Sequence, residues 1–189
     1  SPGKSPAPAP LSSKTLLAGI LVLTALVYLP VLGYEFVYDD KGIIVENALV
    51  QSWRFVPEYF TGQLWQHSFP GAPGNYYRPL AMLLFRINDA LFGLHPAGWH
   101  AYTLLLHLIA TALVFSIVRR ITDRPLVAAV AALLFGVHPV HHEVVAWVSS
   151  TTESLCAVLL LAAFLAYLKS RARFAARWMS LSCLAYAAA

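Results

Sequence analysis

The chain has 189 residues, of which 59% are hydrophobic and only 12% are charged. An ordinary soluble domain carries roughly twice that share of charge, and a disordered or fibrous chain has a different composition. These classes are therefore excluded, and a mean hydropathy of +0.64 indicates a membrane protein. The formal net charge of +4 does not indicate a nucleic-acid partner. The basic residues form short clusters between apolar runs, as in membrane proteins.

The chain opens with a polar tail and a first apolar run. Residues 1–13 are rich in Pro, Ser and Ala. Four prolines exclude a helix there, which predicts a flexible cytoplasmic tail ahead of a membrane domain over 14–189. No charged residue occurs over 15–34, and a helix needs about 20 apolar residues to cross a membrane. We therefore expect the first span over 15–34.

A long loop over 35–98 follows, with more acidic than basic residues. We expect a short amphipathic helix over 47–59 and a turn at 71–75. A second helix should begin at Pro79 and end near Phe92, lying along the membrane surface because it is too short to cross. Within it, Arg86 and Asp89 are spaced to form an ion pair.

Four further apolar runs predict the remaining spans. They lie over 99–118, 125–137, 148–168 and from 178 onward. The last run is cut off, so we interpret the chain as a fragment of a longer protein. Lys and Arg cluster between alternate spans, which predicts that those segments are cytoplasmic. The loop over 35–98 and a polar elbow after 137 should then be extracytoplasmic.

Two neighbouring carboxylates stand just beyond the first span. Asp39 and Asp40 repel each other, so one of them is suited to act as a general base or to bind a divalent metal ion. The alternative is a pair of solvated loop acids.

The elbow contains His138, His141, His142 and Glu143 within six residues. Imidazoles and a carboxylate are typical metal ligands, which makes Asp40, His138, His141 and Glu143 candidate ligands of a divalent metal ion. Pro139 argues against a helical spacing of two histidines around a glutamate. The alternative is a set of interfacial histidines at two helix ends.

Basic and histidine side chains extend the candidate site. Tyr77 and Arg78 precede a predicted helix start, where a guanidinium could hold a lipid phosphate. The alternative is an arginine that reaches to the membrane interface. His100 lies near the extracytoplasmic end of its span and could reach the site, whereas His107 is deeper and is predicted to pack between helices. Glu153 should face protein rather than lipid.

Several motifs together resemble the N-terminal membrane part of the protein O-mannosyltransferases that carry tetratricopeptide repeats, and bacterial proteins of the same layout. The resemblance covers about residues 16–168. It is carried by Tyr38-Asp39-Asp40, Tyr77-Arg78-Pro79-Leu80, Phe85-Arg86-Ile87-Asn88, Gly93-Leu94-His95-Pro96, Trp99-His100 and His138-Pro139-Val140-His141 with Glu143.

The resemblance implies the C-type glycosyltransferase fold, an all-α polytopic helix bundle with a long first extracytoplasmic loop. Such enzymes move a sugar, here with mannose as the candidate, from a polyprenyl-phosphate carrier to a protein or glycan hydroxyl outside the cytoplasm. The membrane would be the bacterial inner membrane, facing the periplasm, or the endoplasmic reticulum, facing the lumen. The implied catalytic residues are Asp39 and Asp40, and the substrate-binding residues are Tyr77, Arg78, His100, His138, His141 and Glu143.

The chain departs from the family pattern at three places. Thr103 stands where asparagine is frequent, 150–153 reads Ser-Thr-Thr-Glu where Gly-Arg-x-acid is common, and His142 adds an imidazole. Two other classes stay open: a non-catalytic membrane anchor of a larger repeat protein, and a metal-binding membrane protein centred on the elbow. The enzyme hypothesis requires Asp39, Asp40, Arg78 and the elbow to meet in a single pocket.

Overall fold

A computed structural model describes residues 12–62, 77–173 and 176–189. Every regular element within these ranges is helical, which confirms the predicted all-α class. The α-helices are α1 (Ser13–Tyr28), α2 (Val56–Tyr59), α3 (Pro79–Phe92), α4 (Pro96–Thr122), α5 (Pro125–Val137), α6 (His142–Ala146), α7 (Thr151–Arg173) and α8 (Ala176–Ala188).

Short 3-10 and π-helical segments connect or extend several of these elements. One 3-10 helix continues α1 to Gly33, and another, over Val148–Ser150, leads into α7. The remaining ones are 3-10 helices over Trp53–Phe55 and Pro139–His141 and a π-helical turn over Lys41–Val45. All of them lie in or next to the loop and the elbow, where a straight helix would carry the chain away from the bundle.

Among the described residues, three helical segments are long and apolar enough to cross a membrane: Ser13–Gly33, Pro96–Thr122 and Val148–Arg171. They overlap three of the predicted spans, and the second is longer than the predicted 99–118. The predicted span over 125–137 is a helix of 13 residues. It reaches only about 20 Å at 1.5 Å per residue. Together with Pro139–Ala146, bent from it by 46°, it could form a fourth, broken span.

The helix ends follow local capping rules. The Ser12 hydroxyl accepts a hydrogen bond from the Thr15 backbone N–H at 3.1 Å, which caps α1. Proline occupies an early position in α3, α4 and α5, where its missing N–H costs nothing. α4 ends at Asp123, which adopts a left-handed conformation with φ of 55°. These signals are readable in the sequence, which is why the predicted helix starts were close.

α4 is the central helix and packs against α1, α5 and α7, while α8 packs along α7. One apolar cluster joins α1, α4 and α5 around Ile20, Phe115 and Ala128. A separate cluster, which includes the fully buried Phe85 and Trp99, joins the first loop to α3, α4 and the 3-10 helix that leads into α7. The first loop is therefore folded onto the bundle through its own core.

The predicted amphipathic helix over 47–59 is wrong, because only a 3-10 turn and the four-residue α2 form there. Side chains take the backbone groups that a helix would need. The Asn47 carbonyl accepts from Leu49 N–H at 3.0 Å, and the Tyr59 hydroxyl donates to Leu49 O at 2.6 Å. Burial raises the pKa of Tyr59 and so favours this protonated donor.

α3 matches its predicted bounds and carries the predicted ion pair. Arg86 Nη1 lies 2.6 Å from Asp89 Oδ2 and donates to Val50 O at 2.6 Å. Because Arg86 is 95% buried, this contact fastens the loop to α3. The expected turn at 71–75 lies outside the described residues, as does almost all of the predicted tail over 1–13.

Candidate active site

The acid pair lies on a tight reversal of the chain after the first span. Tyr38 has φ of 48°, a left-handed conformation that costs a non-glycine residue about 1–2 kcal/mol. The turn is held by the Asp40 carboxylate, whose Oδ2 accepts a hydrogen bond from Val37 N–H at 3.1 Å. The reversal gives the two neighbouring aspartates different environments.

Asp40 is fully buried and is hydrogen-bonded at both carboxylate oxygens. Its Oδ1 accepts from the Ser149 backbone N–H at 2.8 Å and from the Ser149 hydroxyl at 2.6 Å. Asp40 therefore joins the first loop to the start of α7. A carboxylate held by three donors and shielded from solvent is suited to positioning the loop rather than to accepting a proton from a substrate.

Asp39 is half-buried and lines a cavity of about 490 Å³. Within the described ranges its carboxylate has no hydrogen bond or ion pair. Glu143, from α6, lines the same cavity, and the aromatic side chains of Tyr34, Tyr38 and Trp147 form much of the wall. Two acidic residues from distant segments thus line one mainly apolar cavity.

The elbow divides into two parts. Glu143 faces the cavity with Asp39, whereas His141 packs inward, with its ring 4.5 Å from Phe135 and 5.2 Å from His107 between centroids. His138 Nδ1 accepts from Val140 N–H at 3.2 Å and caps the 3-10 turn. These two histidines match the structural alternative, in which they stabilise helix ends and packing.

The candidate metal ligands do not converge. Within the described ranges, no group of three or more His, Cys, Asp or Glu side chains is placed to hold a metal ion. Asp40 is engaged with Ser149, His138 with its own turn, and Glu143 with the cavity. This donor set does not fit a metal centre, so we derive no chemical step through one.

Arg78 lies outside the Asp39 cavity. Its Nη1 donates to the Thr152 hydroxyl at 2.8 Å and lies 3.0 Å from Glu153 Oε1. These groups line another cavity, of about 360 Å³. The expected single pocket is therefore wrong, because Thr152 and Glu153 hold the guanidinium in a separate cavity. An enzyme hypothesis has to rest instead on these residues sharing one end of the bundle. Glu153 contacts Arg78 of the same chain and so faces protein, as expected, although 59% of its side chain is exposed.

The two cavities nevertheless lie at the same end of the bundle. Asp40 binds Ser149 and Arg78 binds Thr152, three residues further along. Tyr77 is mostly exposed, and its hydroxyl donates to Phe60 O at 3.2 Å. Asp39, Asp40 and Arg78 are thus grouped around the start of α7 rather than placed on opposite faces.

The two histidines of α4 differ in their surroundings. His107 packs between helices, as predicted, with Nε2 2.8 Å from Gly136 O. His100 is fully buried, and its ring lies next to the backbone of Tyr34 and Glu35. Tyr34 contacts the His100 ring edge-on at 6.2 Å, so His100 lies behind the cavity wall and not in it.

Three residues of the site were not predicted from the sequence. Ser149 holds Asp40, and Tyr34 and Trp147 line the Asp39 cavity. Tryptophan and tyrosine are common at the membrane-interface ends of spans. Their presence in the sequence therefore does not indicate a binding site. Ser149 is one of several hydroxyl residues in a row, and nothing local distinguishes it.

These observations define a polytopic helical membrane protein with a polar site at one end of its spans. Its curated relatives are protein O-mannosyl-transferases. The chain is 40% identical to human (Homo sapiens) protein O-mannosyl-transferase TMTC4 in an alignment of 156 positions, and the match covers 72% of this chain and 20% of the relative. It is 36% identical to Drosophila melanogaster protein O-mannosyl-transferase Tmtc1 over 163 residues, 84% of this chain and 19% of the relative.

A third relative, human TMTC1, is 35% identical over 169 residues, 86% of this chain and 18% of the relative. The chain is thus homologous to part of the tetratricopeptide-repeat protein O-mannosyl-transferases, as the motifs indicated, and it spans about a fifth of their length. That coverage fits a partial N-terminal membrane part. No protein-family model matches the chain. No solved structure matches it either.

Proposed function

We propose that the chain is part of a membrane glycosyltransferase that moves a sugar, with mannose as the candidate, from a polyprenyl-phosphate carrier to a hydroxyl group of a protein acceptor. The names of its relatives support a protein mannosyltransferase. The observation that carries the proposal is Asp39, a half-buried acidic residue that lines a cavity together with Glu143 at the end of the spans.

Asp39 is the proposed general base. The acceptor hydroxyl transfers its proton to the Asp39 carboxylate while its oxygen forms a bond to C1 of the sugar. The bond between C1 and the phosphate oxygen breaks, and polyprenyl phosphate leaves with the bonding electrons. The cavity wall is mainly aromatic and apolar, and the cavity is open to solvent, so an acceptor can reach Asp39 from outside.

Arg78 is the proposed binding residue for the donor phosphate. A guanidinium forms paired hydrogen bonds with phosphate oxygens. Arg78 contacts Thr152, which lies three residues after Ser149, the partner of Asp40. Glu153 holds the guanidinium when no phosphate is present, so the phosphate has to compete with a largely exposed carboxylate. An exposed ion pair is weak enough to be exchanged in this way.

The charge pattern supports an orientation for this reaction. The basic clusters lie at the opposite end of the spans from Asp39, and such clusters stay in the cytoplasm. The proposed reaction therefore takes place on the extracytoplasmic side, in the bacterial periplasm or the lumen of the endoplasmic reticulum.

The test compares Asp39→Asn with Asp40→Asn. Transfer of radiolabelled mannose from polyprenyl-phosphate mannose to an acceptor protein is measured in membranes that contain each variant. We expect Asp39→Asn to insert normally and to lose at least about a hundredfold in rate, the scale of a general base. Asp40→Asn should lose activity together with thermal stability, because it disturbs the Ser149 anchor.

Glu46→Gln is the matched control, since Glu46 is an exposed acid of the same loop outside the cavity lining. It should retain full transfer. Undiminished transfer by Asp39→Asn, with transfer lost in a stably folded Asp40→Asn protein, would reassign the base to Asp40. Undiminished transfer by both aspartate variants would eliminate the transferase proposal and favour a non-catalytic anchor.

A further inference from the structure

Another cavity lies at the opposite end of the spans from Asp39. It has a volume of about 530 Å³ and is located where α1 begins and where α4 and α7 end. Lys14, Arg119, Arg120 and Lys169 line it. Basic residues that are far apart in the chain are therefore brought to one concave site.

The positive charge of this cavity is not balanced by its described lining. Asp123 is the one acid that lines it, and its carboxylate pairs with Arg119. Four bases against one acid leave a net charge of +3 on the described lining residues. Like charges gathered in one cavity repel each other, and a bound anion removes that repulsion.

Two of the four bases are available to a ligand. Lys14 and Arg120 are exposed, and neither has an ion pair or hydrogen bond with another residue in the described ranges. Lys169 instead lies over the Trp178 ring, with Nζ 4.5 Å from the ring centroid. The free ammonium and guanidinium groups offer the donor types that bind phosphate oxygens.

The rest of the lining is apolar toward the bundle. Leu17, Phe115 and Leu165 line the cavity below the charged rim, together with the Ser116 side chain. Because the cavity lies at the ends of membrane spans, its rim is at the depth of lipid headgroups and its apolar part is at the depth of acyl chains. An amphipathic anion fits this lining better than a free inorganic anion does.

We propose that this cavity binds the phosphate headgroup of an anionic membrane phospholipid. Lys14 and Arg120 hold the phosphate oxygens, and the apolar lining contacts the first part of the acyl chains. The site is separate from the proposed reaction at Asp39, and it does not depend on that reaction.

The test uses purified protein in detergent with equal amounts of phosphatidylglycerol and phosphatidylcholine. Native mass spectrometry measures the ratio of the two lipids that stay bound. We expect the double variant K14Q/R120Q to reduce the preference for phosphatidylglycerol about thirtyfold, since each basic residue near anionic lipid contributes roughly a factor of five. Phosphatidylglycerol should also raise the Tm of the unmodified protein and not that of the variant.

The matched control is R124Q/R171Q, which removes two exposed charges at the same end of the helices but outside the cavity lining. It should keep the preference for phosphatidylglycerol. An equal loss of this preference in both double variants would show that the overall surface charge attracts the lipid, and it would overturn the proposal. Displacement of the lipid by millimolar inorganic phosphate would overturn its assignment to a phospholipid.

Discussion

Asp39 and Asp40 are adjacent in the chain, but their carboxylates have opposite surroundings. Asp40 is buried and bound by three donors, while Asp39 faces a cavity. The difference arises from the left-handed turn at Tyr38 and from Ser149, which lies on the other side of the first loop. One aspartate therefore holds the loop in place, and its neighbour is left to line the cavity.

Ser149→Ala tests whether Asp40 anchors the loop, because it removes a single hydroxyl group that binds the Asp40 carboxylate. It removes a 2.6 Å hydrogen bond to a buried carboxylate. We expect the free energy of unfolding to fall by about 1.5–3 kcal/mol, the range for hydrogen bonds to charged groups. Thermal unfolding in detergent measures the change. Ser52→Ala is the control, because no side-chain hydrogen bond of Ser52 to another described residue is present; an equal loss in both variants would contradict the anchoring role.

At the scale of elements, the bundle depends on close contact between α1, α4 and α5. Thr24, Thr111 and Gly136 are buried at this crossing. Membrane helices associate through such small residues, because lipid offers little hydrophobic gain from burying large ones. The same crossing places Gly136 O beside His107. The position of the elbow, and of Glu143 with it, therefore depends on how closely α5 approaches its neighbours.

Gly136→Ala should separate these helices. A Cβ atom at Gly136 would lie 2.4 Å from Thr24 Oγ1 and 3.1 Å from Thr111 Cγ2. Overpacking of this kind costs about 1–3 kcal/mol. Gly19→Ala is the matched control on α1, since nothing lies within 4 Å of its added Cβ, and it should be neutral or slightly stabilising. Thermal unfolding of both variants checks the prediction, and equal stability of the two would contradict it.

The whole molecule has two chemically distinct ends. The Asp39 cavity, Arg78 and the first loop lie at one end of the spans, and the basic cavity with Lys14 and Arg120 lies at the other. This polarity is what the proposed reaction requires, since a lipid-linked donor and a water-soluble acceptor have to meet at one membrane surface. It also sets the proposed orientation in the membrane.

Labelling of introduced cysteines tests that orientation. Glu46 and Arg124 are exposed at the two ends, and Cys156 and Cys183 are the natural cysteines. In a C156S/C183S background, a membrane-impermeant maleimide should label E46C in vesicles whose extracytoplasmic face is outward. R124C should react only after permeabilisation. Labelling of both positions from the same side would contradict the proposed topology.

The sequence by itself determined the features that depend on local composition and spacing. Uncharged runs of about 20 residues suffice to predict spans, and prolines marked the starts of α3 and α5. The pairing of Arg86 with Asp89 was predictable too, because residues three apart on a helix share a face.

Only the tertiary structure decided which candidate residues share a cavity. The Asp40–Ser149 contact joins residues 109 positions apart, and the Arg78–Thr152 contact joins residues 74 apart. Spacing along the chain carries no information about such contacts, because they depend on how whole helices pack. For the same reason the elbow was predicted as one unit, whereas packing turned His141 toward His107 and left Glu143 in the cavity with Asp39.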